Sequence, residues 1–369
     1  MFRKPFARFC LRELNVSPVY RIEEGFGNVH KNLESFTSIY EILRKNGNFI
    51  MFSEGICVQE KRLQKLRKGT ARLAFGAEEK FDLDVYIVPV GINYTYPASF
   101  RKEVMINFHN PFSIKELSSM YKEHPAKALL TFNEKCDIGL REQVIIIENP
   151  KNDWLAEQLL KMGRNDLVLP FFRWKFDSDD RRLMEKGISE KINYLDRKDV
   201  EKLDSLTQKV KTYTDHLAKN KLYDENIARK LDWGILRYFA LLAGFPVFAA
   251  GYLSNLIPFL IPQFICNKFI KDPRFYSSLY ISSGTLLYLI YFPVVLILAG
   301  IFAGWTGFLL GFLVPLTGYL ALFYQEVFRE RMRSFRFNIK KTVNPSLIKD
   351  LTIQRQNILK ELEEIEIIS

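Results

Sequence analysis

Phe52-Ser53-Glu54-Gly55, then Leu66-Arg67-Lys68-Gly69-Thr70-Ala71-Arg72-Leu73-Ala74, then Val88-Pro89-Val90-Gly91 form the succession that decides how this chain folds. An apolar run, Asn48 to Phe52, delivers a carboxylate and a glycine into the turn behind it. A strand-end carboxylate beside a glycine is a common place for a site, because backbone without a Cβ can approach a ligand. Two cations, Arg67 and Lys68, then stand where a helix begins, and helix N-termini favour phosphate. The third block is apolar, and its proline lacks a ladder donor, which marks an edge or terminal strand. Singly, these are a turn residue, a solvated helix start and a strand. In this order and spacing they read as one site on an α/β scaffold.

Periodicity supplies the surroundings. Residues 3–14 read as a short basic helix and Val16 to Tyr20 as a short strand ending at Arg21. Asn28 caps a helix that runs to about Lys45 and stops at Asn46-Gly47. Its Leu33, Phe36, Ile39, Tyr40 and Leu43 recur at spacings of three and four, giving one buried face. Asn48 to Phe52 reads as a buried strand, Lys68 to Ala77 as a helix, and Asp84 to Ile92 and Val104 to Phe108 as strands. Ser113 caps the next helix, and Glu116 completes a capping box. The alternation predicts an α/β domain over 1–145, a mixed sheet flanked by helices. A charged helical region follows over 146–235, where Arg197 to Lys221 reads as a solvated helix or a small bundle. An apolar region spans 236–325. A basic stretch and an amphipathic helix fill 326–369. Pro345 opens that last helix, and Leu347, Leu351, Ile358, Leu359 and Leu362 share its apolar face. It can lie on a membrane, on the first domain or on a partner helix; the acidic end, Glu361 to Glu366, disfavours deep membrane contact.

The chain has 369 residues, 48% hydrophobic and 26% charged, which suits more than one domain. Residues 238–263 carry no charge and are interrupted by Gly244, Pro246, Gly251, Pro258 and Pro262. A second charge-free run extends from Phe275 to Tyr324. One crossing needs about 20 apolar residues, so the second run is long enough for a hairpin, 279–302 and 305–324. Gly300 and Gly304, and Gly307 and Gly311, allow close packing around its bend. Arg329, Arg331, Arg333, Arg336, Lys340 and Lys341 follow it, and Lys268, Lys271 and Arg274 precede it. Both flanks are therefore expected on the cytoplasmic side, with an even number of crossings between them. The first run, with its prolines, fits a broken, re-entrant or paired short-helix segment; the alternative is one ordinary crossing, three in total, which would place either the basic tail or the N-terminal domain outside. An integral protein of the cytoplasmic (inner) membrane is expected, its N-terminal domain and C-terminal tail inside.

The net charge of +11 suits an anionic partner. Lipid head groups are preferred over nucleic acid, because no zinc-finger or RNP signature is present. Four cysteines, Cys10, Cys57, Cys136 and Cys266, lie far apart without a C-x-x-C pair, as reduced thiols do. Met1-Phe2-Arg3-Lys4-Pro5 has no apolar core of the kind that marks a secretory signal. The apolar segments hold no carboxylate or cation that would mark a transport path.

The three opening blocks resemble the second half of the active site of the glycerolipid acyltransferases, 1-acyl-sn-glycerol-3-phosphate acyltransferase-like proteins that acylate lysophosphatidic acid. Ser17-Pro18-Val19-Tyr20-Arg21 resembles the family block whose arginine holds the substrate phosphate, a task suited to a guanidinium. The likeness covers residues 1–110, with Arg21, Glu54 and Gly55 on the second and third blocks and Val88 to Gly91 on the fourth. Ser53 stands where the family has proline. Ile56-Cys57 stands where it has Thr-Arg, which removes one expected phosphate contact; Lys61, Arg62 or Lys68 could substitute. The family's base, a His and an Asp separated by four residues, is missing: at that spacing the four histidines here meet Ser35, Ile114, Leu129 and Lys221. Phe2-Arg3-Lys4-Pro5-Phe6 resembles the family segment that closely follows the His/Asp block, so the chain is expected to begin just downstream of its catalytic residues.

The resemblance implies transfer of a fatty acyl group from an acyl-carrier-protein (acyl-ACP) or acyl-CoA thioester to a lysophospholipid hydroxyl in phospholipid biosynthesis. Substrate binding would fall to Arg21, Glu54, Gly55, Arg67, Lys68 and Gly69. It implies no metal and no bound cofactor. Partners would be a lysophospholipid, an acyl thioester, acyl carrier protein and membrane lipids. Without the His/Asp base, no catalytic residue is assigned and the chain as given is expected to be inactive. The alternative is a non-catalytic membrane lipid-binding or scaffolding protein derived from this family.

Overall fold

The computed structural model describes residues 13, 16, 31–56, 58–96, 103–167, 179–229, 236–270, 272 and 275–367. The expected helix over 3–14, the strand Val16 to Tyr20, and Arg21 and Cys57 lie wholly or mostly outside these residues. Two compact units form: Met1–Cys57, Leu63–Asn93 and Met105–Val144 make one, and Val58–Arg62, Tyr94–Val104 and Ile145–Ser369 the other.

In the first unit, helix α1 (Lys31–Arg44) ends at Asn46, whose φ of 56° is left-handed, and Gly47 N–H closes on Ile42 O at 2.9 Å. Helix α2 (Gly69–Phe81) is rich in small residues and is buried on two faces. Leu73 and Ala77 meet Ile39 and Tyr40 of α1, while Ala71, Ala74 and Phe75 join Ile114, Phe132 and Cys136. Gly76 is needed for the approach: a Cβ there would lie 2.3 Å from the Tyr40 hydroxyl. Asp82, also left-handed, terminates α2.

The strands are shorter than the periodicity predicts. Asp84 to Ile92 is not one strand but two, β1 (Tyr86–Ile87) and β2 (Val90–Tyr94). The break falls at Pro89, which has no N–H for a ladder, and its carbonyl accepts from His109 N–H at 2.9 Å. Strand β3 (Val104–Phe108) pairs with β2, and β4 (Phe112–Ser113) pairs antiparallel with β1, Tyr86 opposite Ser113. Among the described residues these two-stranded sheets replace the mixed sheet expected. Asn48 to Phe52 is no strand either. It has no ladder partner among the described residues, and Ile50 and Phe52 are 82% and 73% exposed. Ser113 and Glu116 form the capping box, ahead of a 3-10 turn (Ile114–Leu117) and helices α3 (Ser118–Glu123) and α4 (Pro125–Gln143).

The second unit opens with a helical bundle: α5 (Asp153–Asp166), α6 (Asp179–Lys198), α7 (Val200–Lys219) and α8 (Asp224–Ala228). Arg164 grips the buried Glu185 through two bonds of 2.8 Å, and Arg181 adds a third at 2.9 Å. Burial pushes the Glu185 carboxyl up, but the two guanidiniums outweigh it and hold it below the usual range. The C-terminal helix α13 (Pro345–Glu363) takes none of the three places its amphipathic face suggested. Ile348, Leu351, Ile358 and Leu362 close the bundle core against Leu159, Ile192 and Leu206.

Four helices complete this unit, three predominantly apolar and the last apolar only to Gln325: α9 (Leu236–Ser254), α10 (Leu256–Phe269), α11 (Tyr276–Gly311) and α12 (Leu313–Val343). By length and composition α11, which holds an 18-residue stretch with a mean hydropathy of 2.5, is the one helix among the described residues able to cross a membrane; α9 and α10, bent by 59° at Asn255, qualify only as a pair. Within α11 the helix breaks at Ala303 and Gly304, where Gly304 has φ 63°. The chain turns back there, because a Cβ on Gly307 would sit 2.2 Å from Ala299 O and one on Gly311 would sit 2.7 Å from Leu296 Cδ2. Asn255 is buried between the elements. Its Nδ2 donates to Gly251 O at 2.9 Å and Val314 O at 3.0 Å, and its Oδ1 accepts from Tyr288 O–H at 2.8 Å. A buried amide surrounded by hydrocarbon side chains is tolerable only when its polar atoms are met in this way.

Arg355 of α13 sets the bundle's closure. Its Nε donates to the buried Asp224 at 2.9 Å, Tyr213 O–H donates to the same oxygen at 2.6 Å, and Asn165 holds the other at 2.8 Å. Removing one partner of a buried ion pair strands the other charge. Arg355→Ala should therefore lower stability by about 3 kcal/mol in chemical unfolding followed by circular dichroism in detergent. A loss no greater than that of exposed Lys349→Ala would show the pair to be dispensable.

Candidate functional site: an acidic turn on a helix N-terminus

Ser53, Glu54 and Gly55 form a turn in which Gly55 N–H donates to Phe52 O at 3.1 Å. Gly55 has φ 67°, the left-handed region that a side chain resists. The turn is fastened to the start of α2 at two points. Arg67 N–H donates to Ser53 O at 2.7 Å, and Ser53 Oγ lies 2.8 Å from Thr70 Oγ1. A Cβ on Gly55 would meet Arg67 Cγ at 3.4 Å, and one on Gly69 would meet Met51 Cε at 3.2 Å. Asn133 of α4 anchors the preceding residue by donating to Leu66 O at 3.2 Å. Five residues singled out from the sequence, Glu54, Gly55, Arg67, Lys68 and Gly69, thus come together; the sixth, Arg21, lies outside the described residues.

The electrostatics follow from that packing. Lys68 occupies the N-cap of α2 without a capping side-chain bond, and no acidic residue stands in the first turn. Arg67 and Lys68 are exposed. The first N–H groups of α2, the positive end of the helix dipole and two cations together favour an anion such as phosphate. Beside them, burial pushes the Glu54 carboxyl above its ordinary range, opposed by a hydrogen bond to the backbone of Gln64. Among the described residues no group of three His, Cys, Asp or Glu side chains could hold a metal ion.

Of the three cations considered as replacements for the missing arginine, only Lys68 belongs to this unit. Arg62 is held by Asp153 at 2.7 and 3.0 Å and by Glu60 at 3.0 Å. Lys61 is drawn down from the usual lysine range by burial, with Glu157 at 4.0 Å opposing. The described histidines have structural partners. Both ring nitrogens of His109 are engaged, by Glu142 and by Asn110 O, each at 3.0 Å. His124 supplies the backbone cap of α4, and His216 lies 3.2 Å from Gln354. Sequence inspection missed the Ser53–Thr70 pair. No motif announces it, because two hydroxyls seventeen residues apart acquire meaning only once the turn lies against α2.

Residues 1–93 match the Acyltransferase family. The chain carries an Acyltransferase domain. Its likeness within that family is to glycerolipid enzymes. It is 36% identical over 85 residues to glycerol-3-phosphate O-acyltransferase 1 of Saccharomyces cerevisiae, covering 22% of this chain and 11% of that protein. It is 27% identical over 100 residues to glycerol-3-phosphate O-acyltransferase 2 of the same yeast, covering 27% of this chain and 14% of that protein. The match thus spans only about a tenth of the first relative's length. No solved structure matches the chain.

Two outcomes are expected. A double-mutant cycle of Ser53→Ala and Thr70→Ala should give a coupling of about 1 kcal/mol in thermal or chemical unfolding; additive losses would show that the two hydroxyls do not hold turn to helix. Because the folded chain holds the Glu54 proton more tightly than the unfolded chain, its burial penalty is absent below the ordinary carboxylate range. That penalty grows as pH rises through the raised pKa. Glu54→Gln should raise Tm at neutral pH and leave it unchanged in acid, measured by paired melts; equal shifts at both would contradict the raised pKa.

Proposed function

We propose that this protein serves acyl transfer in glycerolipid synthesis, with a phosphate-bearing glycerol acceptor of the lysophosphatidate type and a coenzyme A or carrier-protein thioester as donor. The observation that carries this is the Ser53–Gly55 turn fastened onto the cationic start of α2. Arg67, Lys68 and the α2 N–H groups would hold the phosphate, with Arg21 as a further ligand. Glu54 would orient the acceptor's polar end, and Gly55 and Gly69 leave backbone open to it. The names of the yeast relatives favour an acceptor built on glycerol 3-phosphate.

In the reaction the acceptor hydroxyl attacks the thioester carbonyl, an ester C–O bond forms, the C–S bond breaks, and the thiol leaves with the proton that a base removed. General-base removal of that proton is the step a His/Asp pair performs in the family this chain resembles. Residues 1–369 contain no His followed at that spacing by Asp. We therefore assign them acceptor binding without turnover of their own. The apolar helices α9 to α12 would embed the protein where both lipid substrates reside, with the basic flanks on the cytoplasmic face of the inner membrane.

The test is binding and turnover on the same preparation. The chain in phosphatidylcholine liposomes should bind a short-chain lysophosphatidate, and Arg67→Ala with Lys68→Ala should weaken binding by about tenfold, near 1.4 kcal/mol. With acyl-CoA added, no product above the blank is expected. Product formation that Glu54→Ala abolishes would overturn the assignment of binding alone. Absence of binding by the unaltered chain would overturn the acceptor.

A further inference from the structure

The segment Gln64 to Lys68 carries both cations of the candidate site, yet it lies in no helix or strand. Its shape is therefore set by what fastens it. The acidic turn holds it from one side: Ser53 O accepts from Arg67 N–H at 2.7 Å, and the Glu54 carboxyl takes a hydrogen bond from the backbone of Gln64. Helix α4 holds it from the other. Leu66 is buried in the cluster that contains Ala128, Phe132 and Cys136 of α4, and its carbonyl accepts from Asn133 Nδ2 at 3.2 Å. Lys65, Arg67 and Lys68, on either side of the buried leucine, are exposed.

These fastenings do different things. Burial of Leu66 decides which way the segment faces, but apolar packing is non-directional and leaves its tilt and slide free. A hydrogen bond is directional, and the bond to Leu66 O falls one residue before the first cation. A carbonyl partly withdrawn from water also needs a partner. Asn133 supplies that partner from α4, so its effect on a ligand runs through the segment. It lies 67 residues after Leu66 and beyond the residues 1–93 that match the family.

We propose that Asn133 is a positioning residue for the anion site. By gripping Leu66 O it sets Arg67 and Lys68 beside the first N–H groups of α2, so that a lipid phosphate meets the cations and the helix dipole together. A segment that must be ordered at the moment of binding gives up affinity, and the amide removes that cost beforehand. This role rests on the acceptor reading given under Proposed function.

The experiment measures binding of a short-chain lysophosphatidate to the full chain in phosphatidylcholine liposomes. Four forms are compared: the unaltered chain, Asn133→Leu, Arg67→Ala with Lys68→Ala, and all three changes together. Leucine keeps the shape of the amide and removes its donor. Asn133→Leu should weaken binding about fivefold, the worth of roughly one hydrogen bond, and should add nothing once Arg67 and Lys68 are gone. Unchanged affinity in Asn133→Leu overturns the role, and so does a full further loss in the combined variant, because a residue acting through the two cations has no effect without them. Circular dichroism melts accompany each form. Should Asn133→Leu not fold, Asn133→Ser, which keeps a donor on a shorter arm, is read by the same two criteria with about a twofold loss expected. Failure of the unaltered chain to bind overturns the acceptor reading and this role with it. Binding that Arg67→Ala with Lys68→Ala weakens and the Asn133 variants leave intact overturns this role alone.

Discussion

The packing of α2 is the constraint on which the first unit depends. A helix buried on two sides must be narrow, and Ala71, Ala74, Gly76 and Ala77 make it so. Leu73 and Ala77 then reach α1, while Phe75 stacks on Tyr121 of α3 at 4.1 Å between ring centroids and meets Phe132 of α4 at 6.1 Å. With both flanks committed, the N-terminal end of α2 stays exposed at Arg67 and Lys68. The Ser53–Gly55 turn is fastened there, so the helix that organises the core also aims its positive end at the candidate site.

The second unit solves a different problem. Its bundle is built from strongly charged helices, and part of that charge is buried. Arg164, Arg181 and Glu185 share one network, and Arg355, Asp224 and Tyr213 another. Such networks add little net stability compared with apolar packing, yet breaking one is costly, so they favour one arrangement of the helices over its neighbours. Asn255 plays the same part among the apolar helices, meeting donors and acceptors from three elements at the bend.

The local structure around the candidate site was legible where it rests on short-range rules. A glycine after a carboxylate, a pair of cations at a helix start and a serine with a glutamate three residues on are local features, and the turn at Gly55, the start of α2 at Lys68 and the Ser113 capping box are present. The sheet was not legible to the same degree. Asn48 to Phe52 has the composition of a buried strand, but a strand exists only with a partner, and none pairs with it among the described residues. Pro89 was recognised as a missing donor, yet its cutting of the run into β1 and β2 follows from pairing with two different strands.

The sequence by itself determined the order of the acyltransferase blocks, the absence of a His/Asp pair, the apolar region and the basic stretch behind it. Each of these is a property of residues near one another in the chain. Tertiary structure alone decided that α13 closes the bundle, that Arg62 is spent on Asp153, and that Ser53 and Thr70 join turn to helix. An amphipathic face says that a helix must be covered and a cation that it seeks an anion. Which surface or carboxylate answers depends on what distant segments bring within a few ångströms, and that is settled only when the chain has folded.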